Sequence, residues 1–172
     1  MLGDAVRDAL FAEISAQNDP IKARDGGKPY LPNRCDVSFN ISHSGELALG
    51  VLLTEATGEI GCDIEQIKRN SRCNSKNRIM RRAFTEAERS TVQESDDPTA
   101  EFYAVWTKKE AYLKYTGKGI TVPLAIVDTT KLASVCKFNT FTVSDSDGEK
   151  YAAAVCMPLE CAELEVEIEF IQ

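Results

Sequence analysis

The 172-residue sequence predicts an α+β fold, an antiparallel sheet with helices packed on one face. Three observations carry this. Lys137–Val143 and Glu149–Met157 are strand-like runs joined by Ser144-Asp145-Ser146-Asp147-Gly148, a hairpin turn signal. Glu163–Phe170 alternates without a fault, with Leu164, Val166, Ile168 and Phe170 on one face and only glutamates on the other. Between the early and late strands stand two helical stretches, about Asn77–Gln93 and Thr99–Thr116, separated by Asp96-Asp97-Pro98, with Thr99 the expected cap of the second.

In chain order, the first element is a helix over Gly3–Ile14, amphipathic, with Val6, Ala9, Leu10 and Ile14 on one side. A loop through Pro20–Pro32 leads to strands at Val37–Ile41 and Leu47–Leu53. A third strand follows at Glu59–Glu65, where Ile60, Cys62 and Ile64 alternate with Gly61, Asp63 and Glu65. In the second long helix Phe102, Val105, Trp106, Lys109 and Leu113 form a stripe at helical spacing, and Gly117 is the expected stop.

Chemistry-bearing residues fall on three of these segments. Glu110 and Lys114 are an acid and a base one helical turn apart, about 6 Å along the axis. Taken alone they also suit an ordinary surface pair worth about 0.2–0.5 kcal/mol. Asp63 and Glu65 point to the same side of a strand, roughly 6.5–7 Å apart at the Cα. Two carboxylates at that separation repel by about 3 kcal/mol at an effective dielectric of 20, a cost that a bound cation removes and that water largely screens. With a third carboxylate, such a pair suits Mg²⁺, which keeps several waters and often bridges phosphates. His43, the only histidine, lies in Phe39-Asn40-Ile41-Ser42-His43-Ser44-Gly45, preceded by Gly26-Gly27-Lys28-Pro29. Hydroxyls, an imidazole, a lysine and amides of a glycine-containing turn can cradle phosphate oxygens, though each also fits a plain structural role.

Composition bounds the function. A hydrophobic content of 43% and a charged content of 27% are those of an ordinary globular protein. The length suits one domain, or two intimately packed half-lobes. No run approaches eighteen apolar residues and no basic-then-apolar leader opens the chain, so a cytoplasmic protein without membrane contact is expected. The six cysteines include no C-x-x-C pair, and with one histidine there is no zinc pattern. Cys62 and Cys156 suit small buried hydrophobes, and Cys73, in a polar stretch, is the one candidate for reactivity. Net charge is −7, yet Lys68, Arg69, Arg72, Lys76, Arg78, Arg81 and Arg82 follow one another with no acid among them, which leaves −14 on the rest. This run is either a solvated basic loop or a docking patch for an acidic partner. It lacks the interleaved aromatics of a nucleic-acid surface, so no nucleic acid is expected.

Taken together and in this order, Gly-Lys-Pro (27–29), Phe-Asn-Ile-Ser-His-Ser (39–44), Gly-Cys-Asp-Ile-Glu (61–65), Phe-Thr-Glu-Ala-Glu (84–88) and Trp-Thr-Lys-Lys-Glu-Ala-Tyr-Leu-Lys (106–114) resemble the 4′-phosphopantetheinyl transferases. The likeness is to the two-lobed type that activates surfactin synthetase; holo-acyl-carrier-protein synthases are shorter relatives. It runs from about Met1 to Ile120. The resemblance implies a pseudo-twofold α+β fold, here a single domain over 1–172, with a shortened N-terminal half at 1–45 and a C-terminal half at 46–172. It implies an enzyme that moves the phosphopantetheine arm of coenzyme A, its substrate, to a serine of an apo acyl or peptidyl carrier protein and releases 3′,5′-ADP. Asp63, Glu65 and Glu110 would hold Mg²⁺, with Mn²⁺ as an alternative. Lys28, Pro29, Ser42, His43 and Lys114 would contact coenzyme A. Glu110 would be the base and Lys114 the cation that stabilises charge or protonates the leaving group. The acidic carrier would dock near Lys68–Arg82.

One departure accompanies the resemblance. Members of this type open with several strands ahead of a helix like Gly3–Ile14, whereas only 27 residues precede Lys28 here. The apolar stripe of the first helix is therefore expected to seek cover, for instance in a homo-oligomer. The alternative functions are a non-catalytic relative that binds coenzyme A or a carrier protein, and a metal-dependent hydrolase acting on a pyrophosphate.

Overall fold

The protein is described here from a computed structural model covering residues 2–54, 58–69, 73–119 and 122–161. Helix α1 (Leu2–Glu13) leads through two short paired strands, β1 (Lys22–Ala23) and β2 (Pro29–Tyr30), to a hairpin of β3 (Val37–Ser44) and β4 (Leu47–Thr54). Then come β5 (Gly61–Gln66), helices α2 (Cys73–Ala83), α3 (Glu86–Glu94) and α4 (Pro98–Thr116), two 3-10 turns, and the hairpin of β6 (Lys137–Ser144) and β7 (Lys150–Met157). The α+β class is as expected, but the sheet is in pieces. Among the described residues β3 pairs with β4 alone, while β5, β7 and β6 form a separate antiparallel sheet in the order β5-β7-β6. The division expected at 45/46 falls at the turn between β3 and β4.

Two corrections concern the helices. The stretch expected as one helix over 77–93 is two, because Thr85 starts a new helix with a reciprocal cap. The Thr85 hydroxyl accepts from the Glu88 amide, and the Glu88 carboxylate accepts from the Thr85 amide. The cap of α4 is Asp97, whose carboxylate accepts from the Ala100 amide, with Pro98 in the first turn, rather than Thr99. α4 stops at Gly117, in the left-handed region at φ 66°. The alternating segment 163–170 lies outside the described residues.

The stripe of α1 finds its cover within the chain. Val6 and Leu10 lie on Gly50 of β4. Phe11 meets Phe39 edge-to-face at 5.0 Å, in a cluster with Ala16, Leu31 and Val37. Burying each of these aromatic rings contributes about 1.5–3 kcal/mol. The β3–β4 hairpin thus gives this helix cover within the chain, where a second subunit was one place expected for it.

Helix α4 crosses β5 and β7. It comes so close at Gly61 that an added Cβ would sit 2.3 Å from the Ala111 carbonyl oxygen and from the Tyr115 amide nitrogen. Only glycine permits this approach, and the approach is what sets Glu110 and Lys114 over the carboxylates of β5. Cys62 and Cys156 are fully buried, as expected. Burial pushes the Cys62 thiol up to about 12, which makes it inert at neutral pH.

Candidate active site

The site begins with a stitching problem. β5 pairs with β7 along one edge, so amides on its other edge need acceptors if they are to be buried. β3 lies along that edge and supplies side chains in place of backbone. The Ser38 hydroxyl accepts from the Ile60 amide, the Asn40 carbonyl from the Cys62 amide and the Ser44 hydroxyl from the Gln66 amide, at 3.1, 2.9 and 3.1 Å. The alternation Ser38-x-Asn40-x-Ser42-x-Ser44 puts all four polar groups on one face. That period-two polar pattern was legible in the sequence, yet only Ser42 was singled out there.

Each serine on this face also donates to a carboxylate. Ser38 reaches Glu59 Oε2 at 2.7 Å, Ser42 reaches Asp63 Oδ1 at 2.7 Å and Ser44 reaches Glu65 Oε2 at 2.9 Å. These rungs give the three carboxylates different fates. Glu59 is neutralised by Lys28 at 2.8 Å and Arg24 at 2.7 Å. Burial works against its charge, but the bonds from Lys28 and Ser38 outweigh that and hold its pKa below the ordinary value. Asp63 is nearly buried and takes Lys114 Nζ on Oδ1 at 2.7 Å, and Lys114 also donates to the Ser42 hydroxyl at 2.9 Å. Its other oxygen, Oδ2, is buried with no hydrogen-bond partner.

Lys114 therefore does not form the expected pair with Glu110 but reaches across to β5. Glu110 is half-buried, and its pKa is raised above the usual carboxylate value, first by burial, then by the Asp63 charge, with Glu65 adding to it. Lys114 pulls the other way and loses. Desolvation and like charge outweigh a lysine that is committed elsewhere. Among the described residues no three acidic, histidine or cysteine side chains close into a metal cage. Asp63, Glu65 and Glu110 feel one another electrostatically without being drawn onto one point.

The remaining expected residues divide. Lys28 is buried, and its ammonium donates to the Ile60 carbonyl at 2.8 Å and the Tyr115 carbonyl at 3.4 Å as well as to Glu59. Its three protons are thereby engaged, and burial lowers its pKa. Together with Pro29 and Lys114 it lines a cleft of about 240 Å³ between the Gly26–Pro29 loop and the end of α4. Gly26 is pressed on the Gly117 carbonyl, where an added Cβ would be 1.8 Å away, so glycine fixes the wall of this cleft. His43 is exposed on the face of β3 opposite to Ser42, since neighbouring side chains of a strand point apart.

A second set, at Glu88 and Lys109, was read from sequence only as motif letters and an apolar stripe. The two side chains are fully buried and paired at 2.5 Å. Glu88 also accepts from the Thr129 amide and hydroxyl at 3.0 and 2.8 Å, and Lys109 donates to the Val127 carbonyl. This pair ties α3, α4 and the first 3-10 turns together, one residue before Glu110.

Comparison with known proteins gives the family. Residues 59–156 match the family model of the 4′-phosphopantetheinyl transferase superfamily. The chain is 34% identical over 129 residues to the 4′-phosphopantetheinyl transferase Sfp of Bacillus subtilis, covering 72% of this chain and 54% of that protein. It is 32% identical over 150 residues to the 4′-phosphopantetheinyl transferase AcpT of Escherichia coli, covering 87% of this chain and 72% of that one. With the human L-aminoadipate-semialdehyde dehydrogenase-phosphopantetheinyl transferase it shares 34% identity over 111 residues, 62% of this chain and 34% of that one. The chain thus spans about half the length of the Bacillus relatives. A match over more than half of the chain, centred on the strand and helix that carry Asp63, Glu110 and Lys114, places it in the 4′-phosphopantetheinyl transferase superfamily.

Proposed function

We propose that this chain transfers the 4′-phosphopantetheine arm of coenzyme A to a serine hydroxyl of an acidic apo carrier protein, with Mg²⁺ bound, and releases 3′,5′-ADP. One observation carries the reading. Lys114, Ser42 and Asp63 are knitted into one hydrogen-bonded group on the rim of a cleft, with a carboxylic acid of raised pKa beside it. Family membership and the names of the relatives support it.

The residues fit a divalent cation. Asp63 Oδ2 is a buried acceptor with nothing to accept, and Glu110 is crowded by two like charges; hard oxygens in surplus of positive charge suit Mg²⁺. Asp63, Glu65 and Glu110 would hold it, and it would supply charge neutralisation on the pyrophosphate. The chain's own residues do the rest. The serine oxygen of the carrier attacks the phosphorus that bears the pantetheine arm, and the bond from that phosphorus to the oxygen of 3′,5′-ADP breaks. Glu110, set beside Asp63 on the face of α4 that looks onto β5, takes the serine proton. Lys114, anchored by Ser42 and Asp63, faces the cleft as a fixed cation for the phosphates. Phosphoryl-type transfer depends mainly on such positioning and charge. A cleft of about 240 Å³ would hold a part of coenzyme A, with the remainder outside it.

The carrier would meet α2. Arg78 and Arg82, with Ile79, Ala83 and Trp106, line a second cleft of about 190 Å³, a basic rim around an apolar floor. That pairing suits an acidic amphipathic helix. Intact-mass spectrometry of an apo carrier mixed with this chain, coenzyme A and Mg²⁺ tests the reading. The expected result is a gain of one phosphopantetheine arm, absent when EDTA is present from the start. A folded chain that binds coenzyme A yet modifies no carrier would overturn it in favour of a binding relative.

A further inference from the structure

Among the three serine rungs between β3 and β5, the one at Ser44 is distinctive because its acceptor has no other use. Ser44 accepts from the Gln66 amide at 3.1 Å and donates to Glu65 Oε2 at 2.9 Å. The amide occupies one lone pair of the hydroxyl, and the hydroxyl hydrogen is aimed at the carboxylate by the second bond. At Ser38 the same arrangement serves Glu59, which is then consumed by two cations. Glu65 has no such cation: among the described residues Ser44 is the side chain that fixes it by one oxygen, and its charge is felt by Glu110, as is that of Asp63 two residues earlier on the same side of the strand.

We propose that Ser44 is a positioning residue for Glu65, holding one carboxylate oxygen so that the other is presented to a divalent cation shared with Asp63. The proposal rests on the metal-dependent reading above. A hydroxyl in this place does more than fill a backbone vacancy. It removes the rotational freedom of a half-exposed glutamate, which otherwise has to be frozen when the cation binds. Partners of this kind, one shell out from a metal, typically change affinity about 10–100-fold when removed.

The test is Mn²⁺ binding to the full chain, followed by loss of the free-ion electron paramagnetic resonance signal, with coenzyme A present and absent. Ser44→Ala should weaken Mn²⁺ binding about tenfold, and Ser44→Thr, which keeps the hydroxyl on a strand, should restore it. Circular dichroism and the urea midpoint report whether the alanine variant is folded. A cycle with Glu65→Gln settles the route and stands even if Ser44→Ala loses some stability. If Ser44 acts through Glu65, Ser44→Ala adds nothing in the Glu65→Gln background. Additive losses, or unchanged Mn²⁺ affinity in Ser44→Ala, would overturn the positioning role while leaving the transfer reading intact. No Mn²⁺ uptake by the unaltered chain would overturn both.

Discussion

Glu110, the proposed base, shows how a side chain placed for chemistry carries a cost in stability. Its carboxyl is raised above 4.5 in the folded chain, with burial first and Asp63 second among the causes. For an acid whose pKa is raised by folding, the folded state is disfavoured by ionisation. The penalty is absent below the unfolded pKa, grows as pH rises through the folded value, and is complete above it. Glu110→Gln keeps the shape and removes the charge. It should abolish transfer in the mass assay and raise the melting temperature at neutral pH, by about 2–4 °C for each kcal/mol relieved. The difference from the unaltered chain should shrink toward pH 4. A lower melting temperature at neutral pH would show that Glu110 supports the fold instead, and full turnover would remove it from the chemistry.

At the scale of elements, α4 is positioned from below and from behind. From below, the bare backbone at Gly61 lets it descend onto β5. From behind, the buried Glu88–Lys109 pair fastens it to α3 and to the turn at Thr129. Burial lowers the Lys109 pKa against the pull of Glu88, while for Glu88 the bonds from Lys109, Thr129 and Thr85 overcome burial and lower it. Replacing Lys109 by Met leaves Glu88 as a buried, uncompensated charge. Urea unfolding should show a loss of about 3–5 kcal/mol, and the double replacement with Glu88→Gln should recover part of it. Equal losses in the single and double variants would mean that packing, not charge pairing, holds this junction.

For the whole molecule, charge is segregated more than its net of −7 suggests. α2 has no acid in its first turn and ends with Arg81 and Arg82, placing cations at the negative end of the helix dipole. Part of the basic run is spent internally: Arg69 pairs with Asp97 at 2.6 Å, which holds that carboxyl down at about 2. Arg78, Arg81 and Arg82 stay exposed. Reversing Arg78 and Arg81 to Glu should raise the KM for the carrier on the order of tenfold and weaken its salt dependence, with the KM for coenzyme A unchanged. An unaltered carrier KM would clear this surface of a docking role.

How much was legible follows from the range of each signal. Period-two and period-3.6 patterns are local, so β3 to β7 and three helical stretches, which the structure divides into α1 to α4, were visible in outline; the break at Thr85 was visible only as a motif, because a capping box interrupts a helix without interrupting its composition. Asp63, Glu65, Glu110 and Lys114 could be named as candidates from sequence because the motifs that hold them resemble the family in order; their spacing alone also suited ordinary surface pairs. Their partners could not be named. That Lys114 chooses Asp63 over Glu110, that Lys28 spends its charge on Glu59, and that His43 faces away from Ser42 depend on how β3, β5 and α4 meet across some 20 to 70 residues of chain. The sequence by itself determined most of the elements in outline and which side chains are candidates for the chemistry, since both rest on neighbours along the chain. Only the tertiary structure decided the pairing of charges and the cover of α1, because burial and like-charge crowding arise where distant segments are pressed together.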